Sequence, residues 1–214
     1  MSMETKIVNT ELDIKIAISL ACEQLDNGEV IAIPTDTVYG FACDIFNLEA
    51  VSKIFNLKNR TFQNPLTAFI RDPLHAEELC KNIPDSFYNL ANNFFPGALS
   101  IVLEKKYIIS DLVTGGKPTL SVRIPEHDFI IKLLNKYRNP LATTSANLSQ
   151  QPAILAANDI YNQFSGKISL ILDGGHCKFN SESTVISIVN DIPIILRQGV
   201  ISKQEIENAL GREF

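Results

Sequence analysis

Short, mainly apolar runs alternate with segments of helical periodicity along the whole chain, and this alternation limits the fold more than any other feature. The apolar runs have strand length and cover residues 30–33, 66–70, 99–103, 120–124, 141–144 and 168–172. Runs of this length bounded by turn residues are typical of strands buried on both faces of a sheet. The chain contains no linker or low-complexity segment. We therefore expect one α/β domain over residues 1–214, with a sheet flanked by helices.

The helical segments begin and end at recognisable residues. The first apolar positions with helical spacing follow residues 10–13 and stop at Asn27 and Gly28. Further helices are expected over residues 48–57, 74–81 and 84–95, and between the strands at 120–124 and 141–144. Ser202 and Glu205 predict a capping box for a last helix that ends at Gly211. Two apolar runs, 184–189 and 193–196, are close enough to predict an antiparallel hairpin, so the sheet should be an open, mixed one.

Composition excludes several classes of protein. The 214 residues carry a net charge of −5, which argues against general affinity for nucleic acids. No apolar stretch approaches the ~20 residues of a membrane span, and residues 1–6 lack the pattern of a secretory signal. We therefore expect a cytoplasmic protein without membrane contact. The four cysteines are far apart and suggest reduced thiols, and the three histidines form no zinc-binding cluster. We expect no metal site built by the protein.

Cations follow several apolar segments, where ligands bind in open α/β sheets. They are Lys58, Arg60, Arg123 and Arg197. Each one alone is explained as a surface ion-pair partner or as a favourable charge at a helix C-terminus. Together, in a net-acidic chain, they suit a polyphosphate or carboxylate ligand, because guanidinium groups bind both in bidentate geometry.

Two polar stretches leave alternatives open. Residues 143–147 supply three hydroxyls and one amide, which suit either a helix cap or a set of neutral donors for a ligand. Ser145 is not in a nucleophile elbow, so hydrolase chemistry is a weak alternative. Residues 114–117 lack the spacing of a phosphate-binding loop and indicate a mobile turn instead.

The ordered motifs of the chain resemble those of the YrdC-like threonylcarbamoyl-AMP synthases over roughly residues 8–205. The matching segments are residues 33–40, 57–60, 64–66, 122–127, 144–149, 183–186 and 196–199. Among them, the K-x-R motif of Lys58 and Arg60 and the S-x-N motif of Ser145 and Asn147 distinguish the synthases from paralogues with the same fold. The resemblance implies a twisted, open, mixed α/β sheet with a concave, locally positive cavity.

The resemblance also implies a reaction and its partners. L-threonine, bicarbonate and ATP would give L-threonylcarbamoyl-AMP and pyrophosphate, and Mg²⁺ would arrive with ATP. The product would feed the tRNA threonylcarbamoyl-transferase machinery that makes N6-threonylcarbamoyladenosine, with at most a weak contact to tRNA itself. The competing hypothesis is a non-catalytic, RNA-binding YrdC-like paralogue, and a third is a hydrolase or transferase paralogue with another substrate. The intact K-x-R and S-x-N motifs favour the enzyme.

Roles are carried over by position in the motifs. The residues implied to bind L-threonine are Thr37, Arg123, Thr143 and Ser183. Those implied to bind ATP are Arg60, Asn64, Thr119, Ser145 and Arg197. Those implied in catalysis are Lys58, Arg60, Ser145 and Asn147. We expect the side chains of Arg60 and Asn147 on an exposed cavity wall.

The chain departs from the family pattern at Thr61, Gln150 and Phe69, and these differences affect the shape of the pocket rather than the reaction class. It also resembles the short form of the family, without an additional C-terminal domain. Any lid would then come from its own loops, and residues 114–118 are one candidate.

Overall fold

The computed structural model describes residues 4–214 and confirms the predicted alternation of strands and helices. The strands are β1 Lys6–Asn9, β2 Ile31–Ile33, β3 Gly40–Asp44, β4 Thr67–Phe69, β5 Cys80–Lys81, β6 Leu99–Lys105, β7 Thr119–Arg123, β8 Leu141–Ser145, β9 Leu170–Asp173, β10 Thr184–Ser187 and β11 Ile194–Arg197. The helices are α1 Ile14–Asp26, α2 Leu48–Lys58, α3 His75–Leu79, α4 Asp85–Phe94, α5 Asp111–Thr114, α6 Asp128–Tyr137, α7 Ala157–Phe164 and α8 Lys203–Leu210. The prediction that residues 1–6 lack a secretory signal falls partly on residues 1–3, which lie outside the described residues. Within residues 4–214, none of the helices is both long enough and apolar enough to cross a bilayer.

The strands form one open sheet in the order β1-β9-β2-β3-β8-β4-β7-β6-β10-β11, and β5 pairs with β6 outside this path. The pairs β1–β9, β2–β9, β4–β7 and β6–β10 are parallel, and the remaining pairs are antiparallel. The predicted mixed sheet is therefore confirmed. The predicted hairpin is also confirmed, because β10 and β11 pair in antiparallel register.

Successive side chains of the central strands enter two different cores, as the two-residue period of a strand requires. In β2, Ile31 and Ile33 pack with α1 and α6 on one face of the sheet. Ala32 points to the other face, where it joins a larger core that includes side chains of α2, α4 and α7. Since both faces are covered there, these strands read as continuous apolar runs.

Helices α1 and α6 leave part of their own face of the sheet uncovered. On β7, Leu120 and Val122 point into the larger core. Ser121 and Arg123 point the other way, where they line a cavity instead of packing beneath a helix. The neighbouring strands β4 and β8 extend this polar surface, because Thr67 is paired with both Ser121 and Thr143. The fold thus leaves a polar concave surface on one half of one sheet face.

The sequence predicted the start of a helix correctly where a side chain forms the N-terminal cap. Asp13 accepts hydrogen bonds from the backbone N–H groups of Lys15 and Ile16 at the start of α1. The capping box of Ser202 and Glu205 is present at the start of α8, confirming that prediction.

Several short elements differ from the expectation. The helix expected over 74–81 ends at Leu79, because Cys80 and Lys81 pair with β6 as strand β5. The strands β1 and β3 and the helices α5 and α7 were not predicted. β1 is a four-residue edge strand with mostly exposed side chains, so its apolar signal is weak.

Candidate active site

Two adjoining cavities lie on the uncovered part of the sheet. The first has a volume of about 330 Å³ and lies over strands β4, β6, β7, β8 and β10. The second, of about 420 Å³, lies between the C-terminal end of α2 and the segment that follows β8. Arg60, Ser145 and Glu182 line both cavities, so these three residues mark the junction.

Arg123 is the buried cation of the first cavity, with 4% of its surface exposed. Its Nη2 lies 2.6 Å from Oδ1 of Asp36, its Nε donates to the carbonyl oxygen of Gly97 at 2.9 Å, and its Nη1 donates to Oγ1 of Thr37 at 3.1 Å. Burial lowers the pKa of Arg123, whereas Asp36 opposes that shift. The guanidinium stays charged because its ordinary pKa is so high. It can offer its remaining N–H groups to a carboxylate.

The loop between β2 and β3 holds Thr37 against this arginine. Oγ1 of Thr35 accepts from the backbone N–H groups of Thr37 and Val38, and it donates to the carbonyl oxygen of Val38 at 2.6 Å. Oγ1 of Thr35 also lies 3.0 Å from Oγ1 of Thr37. This local network makes a buried, polar turn that presents a threonine hydroxyl to the cavity.

Two further hydroxyls line the first cavity from opposite sides. Oγ1 of Thr143 donates to the carbonyl oxygen of Thr67 at 2.9 Å. Oγ of Ser183 lies 3.0 Å from Oγ of Ser100 and accepts from Nη2 of Arg197 at 3.1 Å. Both hydroxyls are oriented by protein partners, and Oγ1 of Thr143 keeps acceptor capacity for a ligand because it donates in its own hydrogen bond.

Lys58 is buried, and its Nζ donates to three oxygens of the S-x-N turn. The acceptors are the carbonyl oxygens of Ser145 and Asn147 and, at 2.9 Å, Oδ1 of Asn147. Oγ of Ser145 donates to the same Oδ1 at 2.6 Å. Because an ammonium group has three N–H bonds, this lysine has no free donor left for a ligand. It holds the turn, and it contributes charge while it is protonated. Burial, followed by the nearby charge of Arg60, lowers the pKa of Lys58 from its ordinary 10.5 to about 7.

Arg60 reaches the junction because α2 ends in a left-handed residue. Asn59 has φ 50° and ψ 43°, which turns the chain sharply after Lys58. The guanidinium of Arg60 then donates to the carbonyl oxygens of Asn64, at 3.3 Å, and Pro65, at 3.1 Å. Burial lowers the pKa of Arg60. These contacts place its charge on the wall of both cavities.

Arg197 lies at the far side of the first cavity, at the end of β11. Its Nη1 pairs with Oε2 of Glu182 at 2.7 Å, and its Nη2 donates to the carbonyl oxygen of Ser183 at 2.8 Å. The side chain is therefore held by the segment that enters β10.

Residues 114–118 are better anchored than the mobile turn expected from the sequence. Thr114 is fully buried, and its Oγ1 donates to the carbonyl oxygen of Lys117 at 2.9 Å. A Cβ atom on Gly115 would lie 2.5 Å from the carbonyl oxygen of Gln63, so this glycine packs tightly on the neighbouring loop. The segment presents Lys117 to the first cavity.

Comparison with known proteins assigns the family. The family model Sua5_yciO_yrdC, described as telomere recombination, matches residues 23–199. The chain belongs to the Sua5/YciO/YrdC family. Relatives named threonylcarbamoyl-AMP synthase from Pyrococcus abyssi and Bacillus subtilis are both 38% identical over 91% of this chain, and the match covers 57% and 56% of their own lengths. The structure of P. abyssi Sua5 complexed with L-threonine has a TM-score of 0.91 at 35% identity, covering 98% of this chain and 62% of that one. The chain thus spans little more than half the length of these two curated relatives.

In this Sua5/YciO/YrdC protein, all the residues singled out from the motifs line one or both cavities. Those on the first cavity are Thr37, Arg60, Thr119, Arg123, Thr143, Ser145, Ser183 and Arg197. Those on the second are Lys58, Arg60, Asn64, Ser145 and Asn147. One expectation is corrected: Asn147 is only 8% exposed and is enclosed by hydrogen bonds, so it does not lie on an exposed wall.

Among the residues of this Sua5/YciO/YrdC site that sequence reasoning missed are four polar or charged side chains of the first cavity: Ser100, Lys117, Ser121 and Glu182. Ser100 and Ser121 are polar residues at alternate positions of apolar strands, and this alternation could have indicated that one strand face is not core. Lys117 and Glu182 lie in loops, where no periodicity marks them.

Proposed function

We propose that this protein is a threonylcarbamoyl-AMP synthase and that residues 1–214 form one catalytic domain. The observation that carries the proposal is the junction of two cavities, one built around the buried Arg123 and hydroxyls, the other around the turn held by Lys58. An amino acid and a nucleotide could therefore meet at Arg60 and Ser145, which line both.

In this proposal, L-threonine occupies the first cavity. Arg123 would bind its carboxylate, and Thr37, Thr143 and Ser183 would pair with its amine or hydroxyl. Each of these groups is already oriented by the protein, so little reorganisation accompanies binding. A site that pairs with a hydroxyl strongly rejects analogues without one, because its own polar groups would stay unpaired.

ATP would bind across the junction, with Arg60 and Arg197 beside its phosphates. Asn64, Thr119 and Ser145 would supply neutral hydrogen bonds. The threonine amine and bicarbonate form a carbamate with loss of water, the carbamate oxygen bonds to the α-phosphorus, and the bond to pyrophosphate breaks. No protein nucleophile takes part. The protein aligns the carbamate and the triphosphate, two anions that repel each other, and it offsets the negative charge that grows on the leaving pyrophosphate.

The residues that line the two cavities fit Mg²⁺ only when the phosphates of ATP supply most of its ligands. Within residues 4–214 no group of three or more His, Cys, Asp or Glu residues could hold a metal. Mg²⁺ commonly binds to substrate phosphates, waters and one or two carboxylates. When bound, it would neutralise charge on the leaving pyrophosphate.

The proposal includes a cytoplasmic reaction that supplies the tRNA threonylcarbamoyl-transferase machinery, with at most weak contact between this protein and tRNA. A cytoplasmic location agrees with the four free thiols, since reducing compartments keep thiols unpaired. Burial raises the pKa of the Cys80 thiol to about 12, so this cysteine is inert as a nucleophile.

Pyrophosphate release from ATP and Mg²⁺ tests the proposal when L-threonine and bicarbonate are omitted in turn. We expect release only with both present, and loss of release in Arg60→Ala. Pyrophosphate release that continues when either L-threonine or bicarbonate is omitted would contradict the synthase hypothesis. Absence of release together with tight RNA binding would favour the RNA-binding paralogue instead.

A further inference from the structure

We propose that Glu182 is a protein ligand of the divalent cation that accompanies the nucleotide. The inference rests on the proposed function and adds a metal contact to it. Among the described residues, Glu182 is the only acidic side chain that lines either cavity, and it lines both. It lies where a polyphosphate that spans the junction would pass.

The carboxylate of Glu182 has one oxygen committed and one available. Oε2 accepts from Nη1 of Arg197 at 2.7 Å. Within residues 4–214, Oε1 accepts no hydrogen bond, and the side chain is 44% exposed. Ser183 holds Arg197 independently through its carbonyl oxygen and its hydroxyl. Glu182 can therefore turn one oxygen towards a cation without releasing the arginine.

Charge explains why a cation is needed at this point. Arg60, Lys117 and Arg197 attract a triphosphate into the first cavity, whereas the carboxylate of Glu182 repels it. A hard cation between the carboxylate and the phosphates converts this repulsion into two attractions. Mg²⁺ characteristically takes one or two carboxylates together with substrate phosphates, which is the donor set available here.

This arrangement predicts that the effect of Glu182 on nucleotide affinity changes sign with the cation. Without a divalent cation, the carboxylate should weaken binding, and with the cation it should strengthen it. A residue that only orients Arg197 would act in the same direction under both conditions. The sign reversal therefore separates a metal ligand from a positioning residue.

The test measures the affinity of α,β-methylene-ATP, which cannot lose pyrophosphate, by calorimetry with Mg²⁺ and with EDTA. We expect Glu182→Gln to bind the analogue several-fold more tightly than wild type in EDTA, and about tenfold more weakly with Mg²⁺. The affinity of Mn²⁺ for the protein–analogue complex, measured by electron paramagnetic resonance, should also fall about tenfold. Glu182→Asp should restore part of the cation dependence.

Glu126→Gln is the matched control. Glu126 also pairs with a cation at 2.7 Å, is similarly exposed and lies outside both cavities, so its variant should behave like wild type. Equal weakening of Glu182→Gln in EDTA and in Mg²⁺, or unchanged Mn²⁺ affinity, would overturn the inference alone. A wild-type protein that binds no analogue under either condition would overturn both the inference and the proposed function.

Discussion

Arg123 and Lys58 are both buried cations, but the fold compensates them differently. Arg123 has a full opposite charge beside it in Asp36, at 2.6 Å. The ammonium group of Lys58 is bonded to oxygens of Ser145 and Asn147, which are dipoles rather than charges, and the more distant charge of Glu182 offsets less than Arg60 opposes. Removing one member of a buried ion pair leaves the other charge uncompensated, whereas a lysine without a counter-ion can lose its proton. The two residues therefore lead to different predictions.

Asp36→Asn should lower the free energy of unfolding by about 3 kcal/mol, because Arg123 would stay buried without its counter-ion. Threonine affinity should fall as well, since the guanidinium loses its orientation. Urea unfolding and calorimetry measure the two effects. In Glu126→Gln, which removes an exposed pair, the loss should stay below about 1 kcal/mol. Similar losses in both variants would contradict the prediction.

The lowered pKa of Lys58 predicts a pH dependence of stability. Between its folded pKa of about 7 and its ordinary 10.5, the unfolded lysine holds a proton that the folded one has lost. The free energy of unfolding should therefore rise with pH across this range and lose this contribution as pH falls towards 7. The difference between wild type and Lys58→Met, measured by urea unfolding from pH 7 to 10, isolates the effect. A difference that does not change with pH would refute it.

At the scale of elements, the site depends on how segments pack at their ends. The chain after β11 packs directly on the segment that enters β10. The N–H of Gly199 donates to Oγ1 of Thr184 at 3.0 Å, and the N–H of Val200 donates to the carbonyl oxygen of Glu182 at 3.2 Å. This contact holds Arg197 beside Ser183.

Gly199→Ala should therefore weaken nucleotide binding. A Cβ atom at this position would lie 2.5 Å from the carbonyl carbon of Ser183, so the two segments must separate. We expect about tenfold weaker binding of α,β-methylene-ATP, since small displacements of positioning groups are costly. Gly211→Ala has open space around its Cβ atom, although φ is +67°. It should cost about 1 kcal/mol of stability and leave the affinity unchanged. Equal affinities in both variants would contradict the packing argument.

At the scale of the molecule, net charge and local charge have opposite signs. The chain carries −5, yet Arg60, Lys117, Arg123 and Arg197 line the first cavity against a single carboxylate among residues 4–214. A cleft lined by one sign of charge concentrates ligands of the other sign. The whole-chain charge therefore opposes non-specific RNA binding, while the cavity remains suited to a small polyanion.

Lys117→Gln and Lys132→Gln test this distinction, because both lower the net charge by one. Lys132 lies on α6 and pairs with Asp128, outside both cavities. We expect Lys117→Gln to raise the KM for ATP about fivefold, with a weaker salt dependence than wild type, because one local attraction is lost. Lys132→Gln should leave KM unchanged. Equal shifts in the two variants would show that only net charge matters.

Much of the architecture was predictable because it depends on neighbours along the chain. The capping box of Ser202 and Glu205 and the β10–β11 hairpin are formed by residues close in sequence. Strand β5 was misread as the end of a helix, because only its pairing with the distant β6 makes residues 80–81 extended. Helix α7 shows apolar residues at helical spacing in Ala157, Ile160 and Phe164, so its signal was present but unused.

The sequence by itself determined the α/β class, the order of most elements and, through its motifs, the family and many of the residues that line the site. These properties follow from periodicity, capping and short motifs, which act over a few residues. Only the tertiary structure decided what each charge does. Asp36 meets Arg123 across 87 positions of the chain, Lys58 meets Asn147 across 89, and Glu182 reaches the junction because β10 pairs with β6. Such contacts depend on which strands become neighbours, and local residue preferences do not specify that.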